Sequence, residues 1–305
     1  MRRLFRFLGH QEYLRFGVRD RIIRMYHNPD KAKAEKFTVD FFGARYPGDF
    51  NNFLDWSVYY YGAYEKEELK LMRDILRLMN APITLDIGAN VGQHSLFASI
   101  YSKEVIAFEP YPAVARKIQE KIDVNNRRNI ILCLVGLGEK DATLSYKKPD
   151  SCNMGIGSFL VPNDPIPASS PTTELRVVNG DAYLSSIGAP KVDFIKMDIQ
   201  GFEVYALRGL RQTLGESRPV IFMEWSSATQ KTLREESLAD LYPENYVFYQ
   251  FEPHVPVFHF FRKLNYELVS LQENPSEGNI LAMPIDFVER FATHRPALEH
   301  RHVAL

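Results

Sequence analysis

The sequence predicts an α/β protein: a mostly parallel sheet with helices on both faces. Three observations predict it. Short apolar runs of strand length recur at Ile83–Ile87, Glu104–Phe108, Asn129–Leu134, Val192–Met197 and Pro219–Met223. Stretches of helical periodicity alternate with them, which favours crossover connections and a sheet covered on both sides. Polar residues follow the runs directly, at the end where an open α/β sheet binds ligands.

The elements follow in order. Leu4, Phe5, Leu8 and Leu14 are spaced loosely like one helix face, so the N-terminus reads as a basic amphipathic helix. Residues 41–65 are dense in aromatics, Gly and turn formers. From Glu65 to Asn80, Leu69, Met72, Ile75, Leu76 and Met79 recur at helical spacing, and Asn80-Ala81-Pro82 stops the helix. Ile83–Ile87 is a buried strand, followed by a glycine turn and a helix with Leu96, Phe97 and Ile100 inward. Glu104–Phe108 is the second strand. Pro112 suits the first turn of the next helix, where its missing N–H costs nothing. Asn129–Leu134 is the third strand, with Thr143–Tyr146 as a hairpin partner. Residues 147–173 hold five prolines and read as a long loop, a candidate substrate cover. Val192–Met197, a helix from Phe202 and Pro219–Met223 resume the alternation. Later strands fall at Tyr246–Phe251, Tyr266–Leu271 and Ile280–Met283.

Composition narrows the function classes. The 305 residues carry 37 basic and 38 acidic side chains, a net charge of −1, which argues against a nucleic-acid carrier. The balance hides an asymmetry: residues 1–36 hold ten Lys/Arg against Glu12, Asp20, Asp30 and Glu35, so +6 locally and −7 beyond. That segment reads either as weak contact with a membrane surface or anionic partner, or as a solvated, partly packed terminal helix, the second being preferred. The charges that interrupt it leave no apolar signal-peptide core. No stretch reaches the ~18 apolar residues of a membrane span, so a cytoplasmic protein is expected. Cys133 and Cys152 are the only cysteines and form neither a disulfide framework nor a C-x-x-C site. Cys133 lies in an apolar run and reads as core.

The chemistry gathers at the strand ends. Asp86 closes the first strand before Gly88-Ala89-Asn90-Val91-Gly92, Glu109 closes the second, Lys196, Asp198 and Gln200 follow the fourth, and Glu224 ends the fifth. The turn lacks the middle glycine that lets backbone meet a pyrophosphate, and Asp86 would repel phosphate. This counts against a nicotinamide-dependent oxidoreductase. A cofactor with a cationic ammonium and no phosphate suits the turn better, and S-adenosylmethionine is such a cofactor. Glu109, 23 residues after Asp86, is placed to accept two ribose hydroxyls.

Four blocks in order, TLDIGANVGQHSLFAS, VIAFEPYP, VDFIKMDIQGFEVYALRGL and RPVIFMEWS, resemble the FkbM family of S-adenosylmethionine-dependent methyltransferases. The resemblance spans roughly Tyr64 to Pro284. It implies a class I methyltransferase, Rossmann-like fold: seven strands, mostly parallel, the last antiparallel. It implies O-methylation of a hydroxyl on a saccharide, glycolipid or related natural product. Residues 1–64 then form a basic segment and aromatic-rich cover, 65–290 the methyltransferase domain, and 291–305 a tail. The family's K-x-D-x-E-G block appears here as Lys196, Asp198, Gln200 and Gly201, so Gln stands at the acidic position and is read as a positioning group. Glu203 matches the family's following acid.

Methyl transfer to an alcohol needs alignment, exclusion of water and a base. Asp198 is the leading base, set against helix capping or pairing with Lys196. Lys196 anchors a substrate oxygen or holds that carboxylate, and Glu224 contacts substrate or the methionine end. The cofactor set is Glu65, Asp86, Gly88, Ala89, Asn90, Gly92, His94, Glu109 and Pro110. Glu65 belongs to it because a Tyr-Glu pair, here Tyr64-Glu65, recurs at this place in the family. His94 either faces the cofactor or sits on the helix surface, the surface being preferred. His254 and His259 read as packing residues. No third ligand joins Asp198 and its neighbours, so no metal is expected. The remaining alternative is a cofactor-binding scaffold without catalysis.

Overall fold

The computed structural model describes residues 1–148, 157–159, 171–233, 237–253, 266–272 and 275–294. Most of the 147–173 loop, Cys152, His254, His259 and the tail beyond 294 lie outside these residues.

The chain opens with helices α1 (Arg2–Gly9) and α2 (Phe16–Tyr26), hairpin strands β1 (Lys36–Phe41) and β2 (Ala44–Asp49), and helix α3 (Phe53–Tyr61). Then follow α4 (Lys66–Met79), β3 (Ile83–Ile87), α5 (Gln93–Ala98), β4 (Glu104–Phe108), α6 (Pro112–Asn125) and β5 (Ile130–Cys133). Strands β6 (Gly136–Gly138), β7 (Ala142–Lys147), β8 (Ser158–Phe159) and β9 (Thr172–Asn179) come next, with α7 (Gly180–Ser186). The chain continues through β10 (Phe194–Met197), α8 (Glu203–Gly209), α9 (Arg211–Ser217), β11 (Val220–Trp225) and α10 (Ser227–Leu233). It closes with β12 (Tyr246–Pro253), β13 (Tyr266–Ser270), β14 (Gly278–Pro284) and α11 (Ile285–His294).

The main sheet has eight strands in the order β13-β12-β14-β11-β10-β3-β4-β5. Strands β3, β4, β5, β10 and β11 pair in parallel, and β14 runs antiparallel between β11 and β12. This contains the expected seven-strand arrangement with its reversed seventh strand. An eighth strand, β13, adds to the edge antiparallel to β12. The α/β class I methyltransferase fold is thus present, with one strand more than expected.

Alternation explains both cores. Phe194, Val220, Phe222, Leu281 and Met283 turn to the face covered by α4, α5, α6 and α11. Ile195, Met197, Ile221, Met223 and Ile280 turn to the face covered by α7, α8 and α9. Successive side chains of a strand point to opposite faces, so a strand buried on both sides is apolar throughout.

Three expectations need correction. Thr143–Tyr146 is not a hairpin partner of the third strand; β7 pairs with β8 and β9 in a separate four-stranded sheet. The run alternates, which fits a half-buried strand in any sheet and does not name its partner. The N-terminal helix ends at Gly9, so Leu14 does not share its face. Nor does Leu4 turn inward: the inward residue is Phe5, stacked on Tyr26 at 4.1 Å, while Leu4 and Phe7 are exposed.

The aromatic segment becomes a buried cover. Ile23, Phe50, Trp56, Tyr60 and Tyr61 form one cluster, with Phe5 and Phe53 at its margin. Asp55, buried, accepts from the Tyr46 hydroxyl (2.8 Å), the Asp49 N–H (3.1 Å) and Lys117 Nζ (3.0 Å), with Lys121 Nζ at 3.9 Å. Through these lysines the cover is tied to α6.

Candidate active site

Tight backbone at the ends of β3 and β10 builds the site. The N–H groups of Gly88 and Ala89 both donate to the Phe108 carbonyl at 3.0 Å, and Asp198 N–H donates to the Ile87 carbonyl at 3.0 Å. A side chain at Gly88 would lie 2.0 Å from the Asp198 carbonyl oxygen, so only glycine fits, at φ +81°. Three residues with side chains also take positive φ around the cleft: Glu65 (49°), Asn90 (52°) and Gln200 (56°). Such backbone is costly and persists where the surroundings hold it. Gln93 holds the first of these stretches, its amide bonding the N–H of Tyr64 at 2.8 Å and the carbonyl at 3.0 Å.

Ten of the twelve expected site residues line one cavity: Glu65, Gly88, Ala89, Asn90, His94, Glu109, Pro110, Lys196, Asp198 and Glu224. Asp86 and Gly92 do not. Asp86 is 1 % exposed and accepts from the Ser95 hydroxyl behind the turn. Gly92 caps α5 at φ +82° and faces Ile118. Both shape the turn from behind. The cavity also takes Tyr64, of the expected Tyr-Glu pair, and Val135, Leu137, Tyr146 and Phe202, which the sequence did not single out. Ser158 and Phe159, from the predicted cover loop, stand in this wall.

Each acid has its own environment. Glu109 is buried, and its oxygens accept the N–H groups of Asn90 (3.0 Å) and Tyr111 (2.9 Å). Burial pushes its carboxyl up to about 7 against those two bonds. Lys196 lies beside Asp86 in the sheet register and reaches Asp198 at 3.4 Å. Burial disfavours its charge, but Asp198, Asp86, Glu65 and Glu68 outweigh that and raise its pKa. Burial opposes ionisation of Asp198 as well. The Lys196 ammonium and the Gln200 amide prevail and hold it below the usual carboxylate range.

Gln200 bridges two acids. Its Nε2 donates to Asp198 at 2.9 Å and to both Glu224 oxygens at 3.1–3.2 Å. Burial, then the Asp198 charge, push Glu224 up to about 8. Glu203 serves the backbone instead. It accepts from Ile199 N–H (2.9 Å), Gly201 N–H (2.9 Å) and Thr229 Oγ1 (2.7 Å), clamping the Asp198–Gly201 turn.

His94 is only 9 % exposed and lines the cavity, so the surface reading fails. Burial, then Lys196, lower its pKa to about 3, which keeps the ring neutral. Ligand atoms of Glu65, Glu68 and His94 lie within 4.8 Å of one another. Three groups of ligand type thus meet, through the unforeseen Glu68, and the Lys196 charge already acts on both glutamates. Glu65 and Glu68 sit one helical turn apart, the spacing that puts side chains on one face. Asn279 Nδ2 donates to Glu68 at 2.7 Å.

The residues fit a cationic, diol-bearing cofactor. Asn90 Oδ1 and His94 Nε2 are buried in the wall without a partner. Each Glu109 oxygen accepts one N–H and keeps acceptor capacity for a hydroxyl. Carboxylates outnumber the single ammonium around Lys196.

Fold and site together define a class I methyltransferase scaffold. The sequence profile described as Methyltransferase FkbM domain matches residues 86–268, and the chain belongs to this family. It is 25 % identical over 153 residues to the hexuronic acid methyltransferase AglP of Haloferax volcanii, covering 48 % of this chain and 59 % of that protein. It is 27 % identical over 177 residues to the 2-O-methyltransferase NoeI of Sinorhizobium fredii, covering 52 % and 70 %. The chain therefore spans less than two thirds of the first of these relatives. The FkbM methyltransferase structure from Methylobacillus flagellatus is 19 % identical, with a TM-score of 0.40 over 67 % of this chain and 44 % of that one.

Proposed function

We propose that the chain is an S-adenosylmethionine-dependent O-methyltransferase acting on a hydroxyl of a saccharide or glycolipid. One observation carries the reading. A cavity with diol-accepting and unpartnered polar groups meets an acid pair, Asp198 and Glu224, held by one amide. The names of the two relatives, one acting on a hexuronic acid and one a 2-O-methyltransferase, agree with a sugar hydroxyl.

The cofactor would supply an electrophilic methyl group on a sulfonium. Glu109 accepts the ribose hydroxyls, and Gly88 to Asn90, with Glu65 and His94, hold the methionine end. Val135, Leu137 and Phe159 offer an apolar slot for the base. Asp198, ionised beside Lys196, accepts a hydrogen bond from a neighbouring hydroxyl of the acceptor and so orients the reacting oxygen, whose own O–H points to Glu224. Glu224 takes the proton, because its pKa near 8 matches a base working near neutrality. Lys196 keeps Asp198 charged and Gln200 fixes the distance between the acids.

Calorimetry with S-adenosylmethionine, S-adenosylhomocysteine and NAD tests the cofactor. Saturable heat with the sulfur ligands is expected, and none with NAD. A labelled-methyl transfer assay on cell extracts then tests the acceptor class; label confined to protein or nucleic acid overturns it.

The N-terminal helices support contact with an anionic bilayer. No helix among the described residues is long and apolar enough to cross a membrane. Yet Met1 at the cap of α1, Leu4 and Phe7 within it, and Val18, Ile22 and Met25 of α2 are exposed, with Arg3, Arg15 and Arg21 also exposed nearby in sequence. Arg19 and Ile23 occupy the opposite, buried face of α2. An apolar stripe flanked by cations is complementary to acidic headgroups. Co-sedimentation with phosphatidylglycerol-containing vesicles is expected, weakened by salt and lost in I22E/M25E. Equal binding to neutral vesicles, or none, refutes the contact.

A further inference from the structure

A second cavity of about 670 Å³ opens beyond Glu65. Its walls come from α2, from residues 53–68, from the end of β12 and from residues 276–279. Tyr64 and Glu65 line both this cavity and the first. Glu65, Glu68 and Asn279 lead on into a smaller space that reaches Lys196, Asp198 and Glu224. The large cavity therefore adjoins the space at the acid pair, with Glu65, Glu68 and Asn279 as the shared wall. Its volume lies within the range of small-ligand sites.

We propose that this cavity holds the methyl acceptor and selects a neutral or amino-bearing sugar over a uronate. The proposal rests on the O-methyltransferase reading for its position, and on the cavity's own walls for its selectivity. Phe16, Phe53, Tyr61 and Tyr64 supply flat apolar surface, with Phe16 edge-on to Tyr61 at 5.1 Å. Sugar C–H faces pack on such rings, while carboxylates and carbonyls accept their hydroxyls.

Charge sets the selectivity. The wall carries seven acidic side chains against three cations, Arg19, Arg24 and Lys66; burial raises the pKa of two of the acids, Glu65 and Glu68, which leaves five carboxylates against the three cations. Arg24 Nε donates to both Asp20 oxygens at 2.9 Å, Lys66 pairs with Glu12, and the Arg19 guanidinium donates to the Gly9 carbonyl. A bound uronate would want a guanidinium fork of its own. Here each cation is already engaged, and the carboxylates in excess repel a further negative charge. Glu252 and Glu277, both exposed at the rim, instead offer partners to an ammonium. This departs from the hexuronic acid named for the Haloferax relative.

The test measures binding of glucosamine trisaccharide, cellotriose and trigalacturonate to the full chain, with and without saturating S-adenosylhomocysteine. The glucosamine oligomer is expected to bind tightest, cellotriose next, and trigalacturonate at least tenfold more weakly than either. E252Q/E277Q lowers glucosamine affinity severalfold and leaves S-adenosylhomocysteine affinity unchanged. F16A weakens both uncharged and amino sugars. Preferred binding of trigalacturonate overturns the proposal, as does sugar binding indifferent to these substitutions, or no sugar binding at all. Failure of S-adenosylhomocysteine to bind is a separate outcome: it strikes the methyltransferase reading, while the sugar series still decides the selectivity.

Discussion

Two neighbouring cavities have walls of different construction. In the first, the wall at the strand-end turn is made by residues 87–91, 93, 94 and 108–110, each within a few positions of a central strand. The wall of the second draws on residues from Glu12 to Asn279, brought together by the helical cover and the far edge of the sheet. The first is fixed by parallel pairing and backbone contacts such as Gly88 against Asp198. The second depends on how the cover packs. On the proposed reading, acceptor choice can vary through the loops and helices of the cover while the strand-end turn stays fixed.

The acid pair lines the first cavity and the small space beside it, and its loss should have the largest effect. D198N is expected to lower turnover by about a hundredfold through misorientation of the acceptor, with S-adenosylhomocysteine affinity largely kept. Full turnover in D198N would remove Asp198 from the mechanism. For the wild type, kcat/KM should rise with pH through about 8, since Glu224 accepts a proton only once ionised. E224Q should lose that limb.

The cover wall is the more fragile. D55A removes the carboxylate facing Lys117 and the buried Lys121. Stranding a buried charge costs about 3–5 kcal/mol. Burial, against the pull of Asp55, already lowers Lys121 to about 8, so removal of Asp55 leaves its ammonium without that pull and lowers it further. Chemical denaturation should show this loss. Equal stability of D55A and wild type would mean that the cover is not anchored there.

The cofactor wall should respond in binding and not in fold. E109A is expected to weaken S-adenosylmethionine by about 1–3 kcal/mol in calorimetry. Its pH behaviour has a definite sign. Burial raises the folded pKa of Glu109 to about 7, above the unfolded value, so the folded state holds the extra proton. Its contribution is complete below the unfolded pKa and is lost as pH rises through about 7. Glu65, also near 7 through burial and the Asp198 charge, adds in the same direction. Cofactor-free protein should therefore lose melting temperature between pH 5 and 8, and E109Q should lose less. A flat profile in the wild type contradicts the buried acids.

The same contrast decides what could be read from sequence. Strand-end acids and the glycine turn are local, so Glu109, Asp198 and Glu224 were legible and do line the cleft. Asp86 was legible as an acid but not as one turned away, because strand parity does not say what lies behind the turn. Glu68 carried a signal that passed unused, one helical turn from Glu65. Asn279 and Glu12 carried none, since only tertiary packing brings them to the cleft. The cover's hairpin hid among turn residues, and the β7 partner was undecidable because alternation marks a strand without naming its neighbour.

The smallest expected change comes from Gln200→Glu, at the amide between the two acids of the first cavity. Both groups facing the amide nitrogen of Gln200 are carboxylates, so the donor end must point at them. Glutamate there would remove those donors and add a third negative charge between Asp198 and Glu224. Like charges disfavour ionisation, so the Glu224 limb should move to higher pH while S-adenosylhomocysteine affinity stays within severalfold. Turnover near pH 7 should fall, and turnover above the shifted limb should approach that of the wild type. A limb that stays near 8 would mean that Gln200 does not bridge the acids in the working enzyme. A loss that high pH cannot restore would assign Gln200 to acceptor contact instead.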